Sequence, residues 1–200
     1  VMTVAVAEAL MRTENINENN AEDFKKSLIN VMYEIGTNYP TCGYGSNFHV
    51  WLFGKIKEPY NSYGNGSAMR VSPVGWYAKS LAEAEKIAKA TAEITHNHPE
   101  GIKGAVSVAG AIYLARTGAS MDEIKRYVSR FYNIDFTLDE IRPTYDYEIV
   151  NKTTVPQAFR CFYESTDFED TIRNAISTIS RVVILKDFFI FIFLLIKNPF

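Results

Sequence analysis

The sequence has only two cysteines, Cys42 and Cys161, too few for a disulfide framework or for a zinc site built from thiolates. A reducing cytoplasm suits that usage. The start of the chain carries no run of basic, apolar and small residues that would mark a secretory leader, so a cytoplasmic location is expected. Neither sign of charge is in excess. With 21 Lys and Arg against 23 Asp and Glu, the net charge is -2, which excludes general nucleic-acid binding on electrostatic grounds. No membrane is expected either: the longest apolar run, Phe188–Ile196, is nine residues, against the roughly 20 that a spanning helix needs. Sustained strand alternation is lacking as well, and YDYEIV (145–150) is the one short candidate.

What remains is helix signal on a chain of 200 residues, the length of one domain. Asn20 is placed to cap a helix carrying Phe24, Leu28, Val31 and Ile35 on one face, with Gly36 as its end. Ser80 with Glu83, and Ser120 with Glu123, have the spacing of capping boxes; Ile124, Tyr127, Val128 and Phe131 follow the second. Lys103–Thr117 reads as a small-residue helix closed by Gly118. Pro156 suits an early helical position before Ala158, Phe159 and Phe162, and Phe168, Ile172, Ala175 and Ile176 mark one more helix. The fold class is all-α. The opening VMTVAVAEALM is helical from its first residues, which suggests a preceding segment. The stretch VVILKDFFIFIFLLIKNPF (182–200) is apolar and aromatic, unlike the rest. A buried terminal element and an aggregation-prone tail both fit it.

Two segments read as long and non-helical, Thr37–Gly54 and Lys57–Trp76, and loops of that length in a compact domain are usually functional or disordered. Their aromatic content argues for order. Within the second, NSYGNGSAMR (61–70) has Gly64 and Gly66 where positive φ and close ligand approach are possible, with Arg70 as added charge for an anion. It is neither a P-loop nor a dinucleotide fingerprint; a tight structural turn and a ligand loop remain open. THNHPEGIKGA (95–105) holds two of the three histidines, His96 and His98. They lack the i, i+4 pairing of a helical zinc site, which leaves a catalytic base or a hydrogen-bonding role at the start of a helix.

In their order, SYGNGSAMRVSPVGW, THNHPEGIKGA…AIYLARTG and TLDEIRPTY…TVPQAF…FYESTDFEDTIRNAIS resemble the ADP-ribosylglycohydrolase family, over residues 1–178, with 179–200 a diverged hydrophobic tail. The resemblance implies an all-α hydrolase that binds ADP-ribose at a magnesium or manganese centre. It would release ADP-ribose from a modified protein side chain or a small acceptor. Carried over residue by residue, Ser62, Tyr63, Gly64, Asn65 and Gly66 would line ADP-ribose and His96 would face its distal ribose. His98 and Pro99 would be scaffold, and Glu100 is left without a role. The family's first metal motif, Thr-Asp-Asp-Thr/Ser, would stand directly before Val1. Its second, Gly-Gly-Asp-Ser-Asp-Thr, would follow Arg173–Ser177, where TISRVVILKDFF stands instead. No metal ligand and no catalytic residue are therefore assigned. The expectation is an impaired or fragmentary hydrolase, the alternative a non-catalytic ADP-ribose-binding remnant or partial gene product.

Overall fold

Apolar residues spaced three and four apart favour helices that bury one face. The computed structural model, which describes residues 1–13, 15–17, 20–145 and 150–178, is accordingly all-α. Its helices are α1 (Met2–Arg12), α2 (Ala21–Thr37), α3 (Ser46–Phe53), α4 (Gly66–Arg70), α5 (Ser72–Tyr77) and α6 (Leu81–Glu93). They continue with α7 (Pro99–Arg116), α8 (Met121–Val128), α9 (Leu138–Ile141), α10 (Asn151–Glu164) and α11 (Phe168–Thr178). No strand occurs among the described residues. Of the YDYEIV candidate, Val150 makes an isolated antiparallel bridge with Gly64, while 146–149 lie outside the described residues, as does the tail 179–200. No described helix is long and apolar enough to cross a membrane.

α7 is the hub. Its Ala105, Val108, Ala109, Ala111 and Ile112 are buried, and α4, α5, α6, α8 and α10 pack against it. Small side chains let five helices approach one axis closely, so much of the core is built on alanine rather than on bulk. α1 packs against α2 and α5, burying Ala5, Val6, Ala9 and Leu10. The faces expected from periodicity meet in this core: Phe24, Leu28 and Val31 of α2, Ile124 and Val128 of α8, with Phe168 and Ile172 packed at its edge. Ile176 is the exception, 52% exposed.

The caps follow the sequence closely. Ser120 and Glu123 form both halves of their box. Ser80 Oγ accepts from Glu83 N at 3.1 Å, but the Glu83 carboxylate reaches Lys79 N rather than Ser80 N, so that box is half made. Thr137 and Glu140 complete a further box at α9, from a T-x-x-E pattern that the sequence displays. Gly118 closes α7 at φ +87, a conformation that favours glycine.

Four expectations need correction. Gly36 does not end α2: it is buried in the last turn, where Leu52 and Met2 press against it, and Asn38 is the C-cap. The segment Thr37–Gly54 contains α3. Its buried Trp51 and Leu52 anchor it, and the Lys57 ammonium donates to the carbonyls of Trp51, Leu52 and Gly54 at 2.7–2.8 Å. The segment Lys57–Trp76 contains α4 and α5, short helices held by packing on α7 rather than by their own propensity. Pro156 lies inside α10, which begins already at Asn151. With no N–H, Pro156 cannot donate to the carbonyl of Lys152 four residues back.

Candidate functional site

The extended chain before α4 is laid against the end of α6. Tyr60 N and Ser62 N both donate to Thr95 O, at 3.3 and 3.5 Å, and Asn61 N donates to Asn97 Oδ1 at 2.8 Å. The residue with positive φ in this turn is Asn61, at +52, not Gly64 or Gly66. The demand for glycine at 66 has another source. A Cβ there would lie 3.1 Å from His96 Nε2, so the missing side chain is what lets the imidazole edge rest over the loop.

Two helix N-termini hold the loop from the other side. Ser67 Oγ donates to Gly101 O at 2.7 Å, and a Cβ on Gly101 would run into Ser62 O at 2.5 Å. From α10, Asn151 N donates to Tyr63 O at 3.1 Å while its side-chain amide donates to Glu100 O at 2.9 Å. Buried Asn65 reaches Thr154 Oγ1 at 3.4 Å. Ser62, Tyr63, Gly64, Asn65 and Gly66 therefore form one rigid turn, and the structure places His96 beside it.

His96 is 4% exposed. Burial, and then the neighbouring Arg70 guanidinium, push its imidazole down to about 2, so it is neutral. Its Nδ1 lies 2.7 Å from Thr95 Oγ1, and Tyr60 packs near its ring at 5.9 Å. Arg70 is not a free cation for a ligand. It is buried, and its Nη2 donates to Thr91 O at 2.8 Å and to Thr95 Oγ1 at 2.7 Å. Burial lowers its pKa to about 10, which still leaves it charged at neutral pH.

His98 has a different task. It is the N-cap of α7, with Nδ1 accepting from Glu100 N at 3.1 Å and Pro99 in the first turn. Exposed Tyr63 stands edge-on to it at 5.6 Å. Glu100 pairs with Lys103 at 2.5 Å, while its Oε2 is buried without a partner. His49 lies exposed on α3 with its ring 4.6 Å from Phe53. Among the described residues no three His, Cys, Asp or Glu side chains gather as a metal site. The acids at the start of α11 have structural work: Asp167 Oδ1 accepts from Asp170 N, Asp170 from Thr166 N, and Glu169 pairs with Arg173. The described residues thus do not fit a two-metal centre.

Thr95, Asn97, Gly101, Asn151 and Thr154 build the frame; all but Asn151 lie in stretches that the sequence singles out, yet none of the five is a candidate site residue there. The signal present was polarity out of place: Asn151 and Thr154, three apart, open a helix whose buried face is otherwise largely apolar. Arg70 was read from composition of the loop, and burial reverses that reading.

Residues 1–178 match the sequence pattern of the ADP-ribosylglycohydrolase family. Human ADP-ribosylhydrolase ARH3 is 25% identical over 240 residues, covering 92% of this chain and 62% of the human protein. Mouse ADP-ribosylhydrolase ARH3 is 30% identical over 142 residues, covering 61% of this chain and 35% of the mouse protein. An uncharacterized protein of Archaeoglobus fulgidus is 30% identical over 129 residues, covering 56% of this chain and 42% of its own length. The chain spans less than two thirds of the length of each of these relatives. Since the match runs through the loop, the histidine pair and the helices that clamp them, the chain belongs to the ADP-ribosylglycohydrolase family.

Proposed function

We propose that Ser62, Tyr63, Gly64, Asn65 and Gly66, with His96, hold ADP-ribose. We further propose that they serve a hydrolase acting on the glycosidic bond between ADP-ribose and a protein side chain or small acceptor. The observation that carries this reading is the seating of the His96 imidazole edge on Gly66, 30 residues away in sequence. The turn is pinned on both sides by backbone bonds that do not involve a side chain of the loop's tip. Tyr63 stays 56% exposed on such a rigid turn, a posture that favours contact with a ligand over packing. The human and mouse relatives are named ADP-ribosylhydrolases, which supports the substrate class. A cytoplasmic setting is part of the same proposal; the magnesium or manganese that the family resemblance implies would need ligands beyond those that the described residues gather.

A non-catalytic ADP-ribose binder is the second reading. It is favoured by TISRVVILKDFF, which follows RNAIS where the resemblance leads to an expectation of Gly-Gly-Asp-Ser-Asp-Thr. Both readings require the loop to bind. Titrating ADP-ribose into the 200-residue chain by calorimetry should give saturable binding without added metal. His96→Ala should weaken it by about tenfold, the worth of a good hydrogen bond with its packing. Absence of binding at millimolar ADP-ribose, or a His96→Ala protein that is folded and binds like the wild type, would exclude the assignment.

A further inference from the structure

Arg70, Thr95 and His96 stand in a line in which only one arrangement of protons gives the Arg70 Nη2, the Thr95 hydroxyl and His96 Nδ1 a partner each, Arg70 Nε being buried without one among the described residues. A guanidinium has donors and no acceptor, so Arg70 Nη2 gives its proton to Thr95 Oγ1 across 2.7 Å. The Thr95 side chain is fully buried, and its hydroxyl has one other hydrogen-bonding neighbour, His96 Nδ1, at 2.7 Å. The hydroxyl proton therefore goes to Nδ1. The opposite tautomer would place two donors on Oγ1 and leave the Thr95 proton without an acceptor in the interior, a loss of about 1–3 kcal/mol for an unmade buried bond. With Nδ1 accepting, the ring proton of neutral His96 sits on Nε2. No described residue hydrogen-bonds to that atom, and it lies over Gly66, 3.1 Å from where a Cβ there would stand.

We infer that Arg70 and Thr95 are positioning residues that fix His96 as an Nε2–H donor, presented over the Ser62–Gly66 turn to an oxygen of the ligand. The arrangement accounts for an arginine buried to 3% exposure with no ion pair to a carboxylate among the described residues. Its charge keeps Thr95 Oγ1 occupied as an acceptor, and its proximity discourages a second proton on the ring. Arg70 also bonds Thr91 O on α6, so the line is anchored to a helix rather than to the loop it serves. The ligand part of this inference rests on the ADP-ribose reading, whereas the tautomer belongs to the free protein.

The two are separated by one set of spectra. The full 200-residue chain, labelled with ¹⁵N in its three histidines, is recorded first without ligand, with His96 assigned from a His96→Gln protein. The expected result is a protonated Nε2 and an unprotonated Nδ1 on His96. Thr95→Ser, which keeps the hydroxyl, should retain that pattern, and Thr95→Val, which removes it, should lose it while far-UV circular dichroism stays native. An Nδ1–H tautomer or an imidazolium in the wild type at neutral pH would overturn the inference, as would an unchanged tautomer in Thr95→Val. ADP-ribose is then added. A shift at His96 Nε2, with binding about tenfold weaker in Thr95→Val and near wild type in Thr95→Ser, supports the donor role. The expected tautomer with no response to ADP-ribose upholds the relay and removes the ligand assigned to it.

Discussion

The imidazole of His96 sits where a proton is hard to add, and that cost appears in stability as well as in the site. In an unfolded chain the group titrates near 6.5; burial and Arg70 bring it to about 2 in the folded state. Between those values the unfolded state binds one more proton than the native state, so stability rises with pH across the interval. The contribution is complete above about 6.5 and falls by ~1.4 kcal/mol for each unit below it. From pH 7.5 to 5.5 the wild type should lose about 1.4 kcal/mol through this residue, and His96→Gln should lack that share of the loss. Urea unfolding of both proteins at the two pH values measures it, and equal pH sensitivity would remove the assignment. Spacing alone does not separate His96 from His98; the family resemblance sets His96 toward ligand and His98 as scaffold, and the structure gives the physical difference: His98 turns to the α7 backbone, while His96 turns back to Thr95 and over Gly66. Arg70 was illegible for the opposite reason, because a cation beside a glycine turn looks like ligand chemistry until its burial is known.

At the scale of elements, α7 joins core and site through residues without bulk. A Cβ at Gly104 would collide with the Asn151 amide, which is itself committed to Glu100 O and whose backbone holds Tyr63 O. Alanine has the better helix propensity by about 1 kcal/mol, but overpacking a buried contact costs typically ~1–3 kcal/mol. Asn151 cannot yield without breaking the clamp on the turn. Gly104→Ala should therefore lower the urea midpoint and weaken ADP-ribose binding together. A raised midpoint would show that Asn151 swings aside freely and that propensity decides. Helices with a clear apolar period or a capping box, such as α2 and α8, are legible in the sequence to within a turn. Those without either are not: α3, α4 and α5 sit in Gly- and Pro-rich chain and exist because Trp51, Leu52, Val71 and Val74 find partners in the core. The start of α10 was missed because Pro156 looked like a first-turn proline, and a buried proline deep in a helix depends on tertiary support.

For the whole molecule, the described residues supply a helical core and a clamped turn but gather no three His, Cys, Asp or Glu side chains as a metal site, and the acidic motifs that the family resemblance implies are not among them. Metal assistance in hydrolysis is worth several kcal/mol of charge stabilisation, and every ~1.4 kcal/mol is a factor of ten in rate. The 200-residue polypeptide by itself should therefore release ADP-ribose from a modified protein at least about a thousandfold more slowly than a version with the family's acidic motifs restored. Those motifs are Thr-Asp-Asp-Thr ahead of Val1 and Gly-Gly-Asp-Ser-Asp-Thr after Ser177. Binding should change far less, because the turn is fixed by Thr95, Gly101 and Asn151 rather than by any of the added residues. The decisive measurement is ADP-ribose release by both proteins with Mg²⁺ or Mn²⁺ present and after chelation. Metal-dependent turnover by the unrestored chain within tenfold of the restored one would sink the prediction. It would mean that Asp167, Glu169 or Asp170 leave their helix-start and Arg173 contacts to hold the metal. Substituting those three by their amides would then abolish the activity, whereas on the present reading it would only loosen the first turn of α11.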